Sequence, residues 1–560
     1  MANSDYSKLS KEDLIRIVEK LESRKKYGLI WDEEKVKEQF EKDAQNALPV
    51  LKEVKGKEIK DKDASKPINI LIEGDNYHAL SVLNFTHQGK IDVIYIDPPY
   101  NTGDRSWKYN NNYVDNSDVY RHSKWISMMN KRLVLARRLL KEDGVMIIAI
   151  DDNEVHRLRM LVEEIMPEYD VTSITIVHNP RGNITNNFAR THEYALFLIP
   201  KGHSVISRVQ KENSIPRKLR RWGHNSTRKA RPTMFYPIYI DRTGHVTRIG
   251  QVPENDFHPK SKNIAKNGEI EIWPIDQDGV ERRWNFGLDT VSDELDRIIA
   301  LEKDGKFDLY LTEEDTLPKT VWTESDLEAG RNGASLVRAI TGKDFPFPKS
   351  IFNVIKCIDL ILKTRKDAIV LDFFAGSGTT GHAVLDLNQK YKSNHSFILC
   401  TNNEGEICEE ITYPRIKKVI QGYESRDSKK IPGLSGSLKY FKTKFIKNTT
   451  NPDEAKRKIT EECTEMLCIR ENIFDEVKSK DEYRIFQHGD RVLAAYYALE
   501  RGGLKDLKKE LDKLEGEKIL YCFTLDPLGL DKKDFKGWSG VTLEPIPQKI
   551  LDVYKQIYEY

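Results

Sequence analysis

Four consecutive residues, Asp97, Pro98, Pro99 and Tyr100, combine a carboxylate, two rings that lock the backbone and an aromatic face. Each proline fixes its own φ and restricts the residue before it, so the turn is stiff and its carbonyls are held in place. An exocyclic amino group such as adenine N6 has two hydrogens and a lone pair delocalised into its ring, which makes it a poor nucleophile. Two fixed acceptors, the Asp97 carboxylate and the Pro98 carbonyl, can each take one hydrogen. They then favour a pyramidal nitrogen whose lone pair points at a methyl donor. Tyr100 can stack on an extruded base. Without that chemistry, the same residues simply end a strand and turn the chain.

A second group runs from Asp372 to Thr380, DFFAGSGTT, after the apolar run AIVL. Gly376 and Gly378 allow close approach of the backbone to a ligand and a tight turn into a helix starting near Thr379. No lysine follows the glycines, so this is not a phosphate loop of the nucleoside-triphosphate type. A cationic sulfonium ligand fits better, and S-adenosylmethionine is the expected cofactor. Its amino-acid part would lie over Phe373, Ala375, Gly376, Ser377 and Gly378, with Asp372 near the ammonium or its hydrating water. A GxG turn on its own is often ligand-free, but two such motifs in one sheet favour the ligand.

A third group is basic. Residues 217–231, RKLRRWGHNSTRKAR, hold Arg217, Lys218, Arg220, Arg221, Arg228, Lys229 and Arg231 without an acidic residue, interleaved with Trp222 and Asn225. Arg282 and Arg283 form a second cluster. Such segments neutralise phosphates, and arginine can also read guanine edges. A charge run alone describes solvated surface, but its position between the two motifs points to double-stranded DNA. His78, His192 and His382 are read as helix-face or core residues, since direct transfer to nitrogen needs no strong base. Asp151 to Glu154, at the end of another strand, either shape the same pocket or, for Asp151, cap the next helix.

These groups must be carried by a scaffold that brings them together. From Ile68 to about residue 200, short apolar runs (INILIEG, IDVIYID, VMIIAID) alternate with amphipathic segments, and the alternation resumes from 345 to about 440. This predicts an α/β, doubly wound Rossmann-like sheet interrupted by an insert. The segment 120–144 places Trp125, Met128, Met129, Leu133, Ala136 and Leu140 at helical spacing, read as core packing. The expected domains are a helical N-terminal arm (1–65) closing in a charged linker, a first core part (66–200), a recognition insert (201–342), a second core part (343–440) and a C-terminal α+β domain (441–560).

Composition narrows the classes. Hydrophobic residues make up 39% of 560, enough for packed cores, and no run of about 18 apolar residues occurs. The polar start resembles no signal peptide, so a cytoplasmic protein with no membrane association is expected. Six cysteines without a CxxC spacing argue against a structural metal or disulfide framework. The net charge of +2 conceals the basic segments.

The motif order, Asp97 before Asp372 with the insert between, resembles the β arrangement of DNA amino-methyltransferases, a circular permutation of the motif order. The segments NILIEGDNYHAL, KIDVIYIDPPYNTG, LLKEDGVMIIAIDDNE, THEYALFLIPK and FPFPKS look like modification subunits of type III restriction systems, over most of residues 25–440. The resemblance implies Asp75 with Asn76 near the cofactor adenine and Phe345, Pro348 and Lys349 at its methionine end. Asn402 or Asn403 would meet the ribose, where the family usually has an acidic residue. Family members acting on cytosine N4 commonly carry Ser at the Asp97 position, which favours adenine N6. The resemblance further implies a homodimer and a helicase-nuclease partner subunit. Alternatives are a solitary enzyme, a cytosine N4 enzyme and a catalytically silent DNA-binding subunit.

Overall fold

The computed structural model describes residues 10–22, 29, 31, 38 and 47–558, except 64–65, 110–111, 185–186, 210–215, 267, 304, 313–314, 425–428, 448–450 and 527. It divides into two compact units, residues 1–206 with 319–560, and residues 207–318.

The first unit is built on a ten-stranded sheet. Its strands in chain order are β1 (Ala47–Glu53), β2 (Ile68–Glu73), β3 (Ile91–Ile96), β4 (Leu140–Ile150), β5 (Tyr169–Val177), β6 (His192–Pro200), β7 (Val321–Trp322), β8 (Ile369–Asp372), β9 (Ser396–Thr401) and β10 (Ser437–Lys447). In space the order is β1-β10-β2-β9-β8-β3-β4-β6-β5-β7. The six strands from β10 to β4 are mutually parallel. β3 is buried along its whole length, as a strand covered on both faces by helices must be. The expectation of a parallel sheet holds for this centre. Towards the edges, β1 runs antiparallel to β10, and β6 runs antiparallel to both β4 and β5.

The helices that matter here are α1 (Lys11–Glu22), α2 (Asn76–Thr86), α3 (Arg121–Arg137), α4 (Val155–Ile165), α5 (Ser335–Thr341), α6 (Ile351–Leu362), α7 (Thr379–Tyr391) and α8 (Tyr413–Gln421). The stripe from Trp125 to Ala136 is buried on α3 as expected. Leu140 is not part of it: the helix stops at Arg137, and Leu140 opens β4 opposite Ile91.

Three boundaries shift. The arm 1–65 is not wholly helical, although much of it lies outside the described residues. Beyond α1 it supplies β1 to the sheet, and the charged stretch after it is pinned rather than loose. Ile59 bridges Leu438, Glu58 pairs with Lys439 at 2.7 Å, and Lys57 pairs with Glu409 at 2.7 Å. The alternating charges that suggested a linker find opposite charges on β10 and the turn before α8. The insert returns at Lys319 and not at 343, because Val321 and Trp322 add to β5 and Trp322 packs edge-on against Phe197. The boundary at 440 falls inside β10.

Beyond β10 lies a five-stranded sheet between Asp475 and Ile546, antiparallel across its first three strands and parallel across its last three. Its closing helix, Gln548–Tyr558, shares the core of the main sheet, with Tyr554 donating to the Pro49 carbonyl. Among the described residues no helix is long and apolar enough to cross a membrane.

The second unit holds a four-stranded sheet spanning Ile238–Ile272, a three-stranded sheet of Arg217–Lys218, Lys306–Leu311 and Ile298–Lys303, and a core around Leu219, Tyr236, Trp284 and Leu309.

Candidate active site

Because β2, β3, β4, β8 and β9 are parallel, the residues after them gather at one edge of the sheet, where open α/β folds bind ligands. Asp75 follows β2, Asp97 follows β3, Asp151 follows β4, and Asn402 follows β9. Asp372 ends β8 and leads into the glycine loop. β6 runs the other way, so its first residues, His192 and Glu193, lie at this same edge.

The turn after β3 is held from behind. The Trp125 indole N–H donates to the Pro99 carbonyl at 2.6 Å. Asn101, with φ of 55°, donates its side-chain amide to Glu154 at 2.5 Å. Glu154 is fully buried and also meets His122 at 2.5 Å and Arg157 at 3.2 Å. The Pro98 carbonyl lies in the same turn, next to Asp97.

Asp97 itself keeps 27% of its side-chain surface exposed. Lys349 Nζ lies 3.4 Å from it and 2.5 Å from Glu193, whose side chain is only 4% exposed. The same ammonium sits 4.5 Å from the Tyr100 ring centroid and donates to the Tyr100 hydroxyl, which in turn donates to Glu193 at 3.1 Å. Burial pushes the Asp97 carboxyl up to about 6, with Lys349 pulling it down and Glu193 pushing it further up. Burial also works against the Lys349 charge, but Asp97 and Glu193 outweigh it and raise the lysine above its ordinary value. Glu193 ends below the usual carboxylate range, because Lys349 overcomes the effect of burial.

The glycine loop is tied at both ends. Asp372 accepts from the Phe374 N–H at 2.9 Å and from the Thr380 hydroxyl at 2.5 Å, and burial pushes its carboxyl up to about 7. Gly376 (φ 46°) and Gly378 (φ 78°) take left-handed conformations that other residues adopt only with strain. A side chain at Gly378 would also meet Thr412 at 3.2 Å. Gly378 starts α7. Beneath the loop, the fully buried Arg415 donates to the Ser377 carbonyl at 3.3 Å, the Ser377 hydroxyl at 3.0 Å and Thr379 at 2.8 Å.

Residues 91–413 match the family described as DNA methylase. That span contains both the Asp97 turn and the glycine loop. The chain belongs to the DNA methylase family. Among curated relatives, the Type III restriction-modification enzyme EcoPI Mod subunit of Escherichia phage P1 is 30% identical over 387 residues, covering 60% of this chain and 58% of its own length. The Type II methyltransferase M.KpnI of Klebsiella pneumoniae is 30% identical over 353 residues, covering 59% of this chain and 79% of its own. The chain thus spans little more than half of the type III relative. The solved M1.HpyAVI–SAM complex aligns over 62% of this chain and 98% of that one, at 16% identity and a TM-score of 0.29.

In this DNA methylase, several residues expected at the cofactor make internal contacts. Asn76 donates to the Phe373 carbonyl at 2.9 Å and accepts from Arg132, so both ends of its amide are engaged. The Phe373 ring is buried in the core, and the Asp372 carboxylate and the Ser377 hydroxyl are spent on the loop. Asn403 is occupied by Glu409 at 3.1 Å. Asp75 caps α2 through Tyr77 at 2.8 Å yet remains 47% exposed, and Asn402 is exposed at the end of β9. Phe345 lies nearest the space above Gly376. Pro348 is buried, and Lys349 belongs with Asp97 rather than with the glycine loop.

Glu193 has no marker in the sequence, whereas Glu154 lies in the Asp151–Glu154 segment expected to shape the pocket. A carboxylate at the start of a strand reveals its edge only once the strand's direction is known. Glu154 sits within the IDDNE segment, but its fully buried bond to Asn101 has no local signature. Asp151 turns its carboxylate onto Asn153 at 2.9 Å.

The basic segment also divides. Arg220, Arg228 and Arg283, expected at DNA, are buried within the second unit. Arg220 shares Asp308 with Lys218 and Lys262, Arg228 bonds Glu281 and the Phe257 and Glu254 carbonyls, and Arg283 bonds the Asn225 carbonyl at 2.7 Å. Arg282 pairs with Asp276 at 2.7 Å and lies 5.0 Å from the ring of Trp222, which is 63% exposed. Buried guanidinium groups need such partners, so part of the charge run serves folding. Arg217, Lys218, Arg221, Trp222, Asn225, Lys229 and Arg231 remain exposed.

Proposed function

We propose that this chain methylates adenine N6 in duplex DNA at a specific sequence, on a base flipped out of the helix. It would serve as the modification subunit of a type III restriction system and act as a homodimer with a helicase-nuclease partner. The observation that carries this reading is the partly exposed Asp97 carboxylate at the end of β3, directly beside β8 and its glycine loop. The rigid Asp97 turn, the family membership and the aspartate where N4 enzymes commonly have serine all support it. The motif order supports a circularly permuted arrangement, with residues 207–318 as the recognition insert.

S-adenosylmethionine supplies the methyl group. The donor set suits it: left-handed glycines leave room for a ligand over the loop, Asp75 and Asn402 offer exposed polar groups at neighbouring strand ends, and no phosphate-binding lysine is present. Asp97 and the Pro98 carbonyl accept the two amino hydrogens and orient the nitrogen lone pair. Tyr100 presents its face to the base. Transfer would form the nitrogen–carbon bond as the sulfonium's sulfur–methyl bond breaks, its electron pair staying on sulfur, and the cationic nitrogen would then give one proton to Asp97 or water. Arg217, Lys218, Arg221, Lys229 and Arg231 would neutralise phosphates, with Trp222 and Asn225 available to bases.

The test is transfer of labelled methyl from S-adenosylmethionine to unmethylated DNA, with nucleoside analysis and mapping of modified bases. N6-methyladenine at one short motif is the expected result. N4-methylcytosine would change the substrate, and no transfer by folded protein that binds the cofactor would overturn the reading for the chain acting without a partner.

A further inference from the structure

We propose that Lys349 is a positioning residue that keeps Asp97 ionised and Tyr100 oriented, with Glu193 and Asn353 holding its ammonium in place. This deepens the proposed function and rests on it for its meaning, since an ionised Asp97 accepts an amino hydrogen more strongly than a neutral acid does. A lysine ammonium has three donors. Here three acceptors surround it: Asp97 at 3.4 Å, Glu193 at 2.5 Å and the Tyr100 hydroxyl. The Lys349 side chain is 10% exposed, and the other oxygen of Glu193 accepts from Asn353 at 3.1 Å. Asn353 lies one helical turn past Lys349, on α6, so a single helix start fixes both the cation and its anchor.

The groups facing Asp97 are few. Tyr100 and Tyr95 are neutral phenols, and Asp372 and Glu193 are carboxyls, while His178 faces Glu193 and Lys349. Lys349 is thus the cation among them that offsets the repulsion of two carboxylates in one pocket. Without it, two neighbouring acids cannot both ionise readily. Burial and Glu193 then act on Asp97 against the Tyr100 hydroxyl alone.

The experiment is the pH dependence of single-turnover methyl transfer in the wild type, Lys349→Met, Lys349→Arg and the double variant Lys349→Met with Glu193→Gln. Infrared difference spectra of the protonated Asp97 carboxyl, referenced to Asp97→Asn, accompany it. In Lys349→Met the acid limb should move up by about one to two pH units. Lys349→Arg should return it towards the wild-type position, and the double variant should fall between the two. A uniform loss of rate with an unmoved acid limb overturns the proposal, because a merely structural lysine would act that way. Should Lys349→Met not fold, the double variant, which removes a buried carboxylate along with its cation, carries the same comparison. If the wild type methylates no DNA, the proposed function fails by itself. The infrared midpoint of Asp97 then still decides, with an upward move supporting the role of Lys349 and an unchanged midpoint sinking it.

Discussion

Thr380 donates its hydroxyl to the Asp372 carboxylate at 2.5 Å, across the glycine loop that separates them in the chain. The contact joins the last residue of β8 to the first turn of α7 and so sets the mouth of the loop. Thr380→Val should leave a buried carboxyl with one donor fewer, costing about 1–3 kcal/mol. Thermal unfolding and calorimetric titration with S-adenosylmethionine check it together: both the melting temperature and the affinity should fall.

Asp97→Ala should lower methyl transfer by about 100-fold or more while leaving cofactor affinity nearly unchanged, since the lost acceptor serves the target nitrogen. Single-turnover kinetics and equilibrium binding separate the two. Transfer at the wild-type rate would remove Asp97 from the chemistry. In the wild type, transfer should fall as pH drops through about 6, where Asp97 takes up a proton and becomes a weaker acceptor.

The same residue links activity to stability. Its carboxyl titrates higher in the folded protein than the usual value of 3.8, so the folded state binds the proton more tightly. Ionised Asp97 therefore destabilises the fold above about pH 6, and the effect fades as pH falls to about 4. Asp97→Asn should melt higher than the wild type at pH 8, with the difference shrinking in acid; melting curves at several pH values check this.

Gly378→Val should abolish cofactor binding and destabilise the protein, because its left-handed backbone and the Thr412 methyl at 3.2 Å both oppose a side chain. At Gly376 the nearest atom is Phe345 at 3.5 Å, so Gly376→Val should act through backbone strain and loss of ligand space more than through packing. Circular dichroism melts alongside binding would separate the two positions.

Salt dependence should distinguish the two kinds of arginine. Arg221→Ala with Arg231→Ala should reduce the slope of log affinity for DNA against log salt by about one to two. Arg220→Ala should lower the melting temperature, because it strips a partner from the buried Asp308. An unchanged slope in the first pair would return these residues to ordinary surface.

The sheet was legible in the sequence where physics is local. Runs such as IDVIYI announce strands buried on both faces, and Asp97 and Gly376 sit at strand ends where the chain must turn. What depended on register was hidden. Glu193 reaches the site only because β6 runs antiparallel, and Lys349 turned from the glycine loop to Asp97 through contacts 156 and 249 residues away along the chain. Arg220, Arg228 and Arg283 looked like surface because their partners, Asp308, Glu281 and the Asn225 carbonyl, lie outside the basic run or offer only backbone. The charged stretch before Pro67 looked like a linker for the same reason.

One strand, β5, bears on both seams of the insert: β6 lies along it before the chain departs at Ile206, and β7 adds to it after the return at Lys319. Residues 207–318 therefore form a cassette bracketed by a single fixed post.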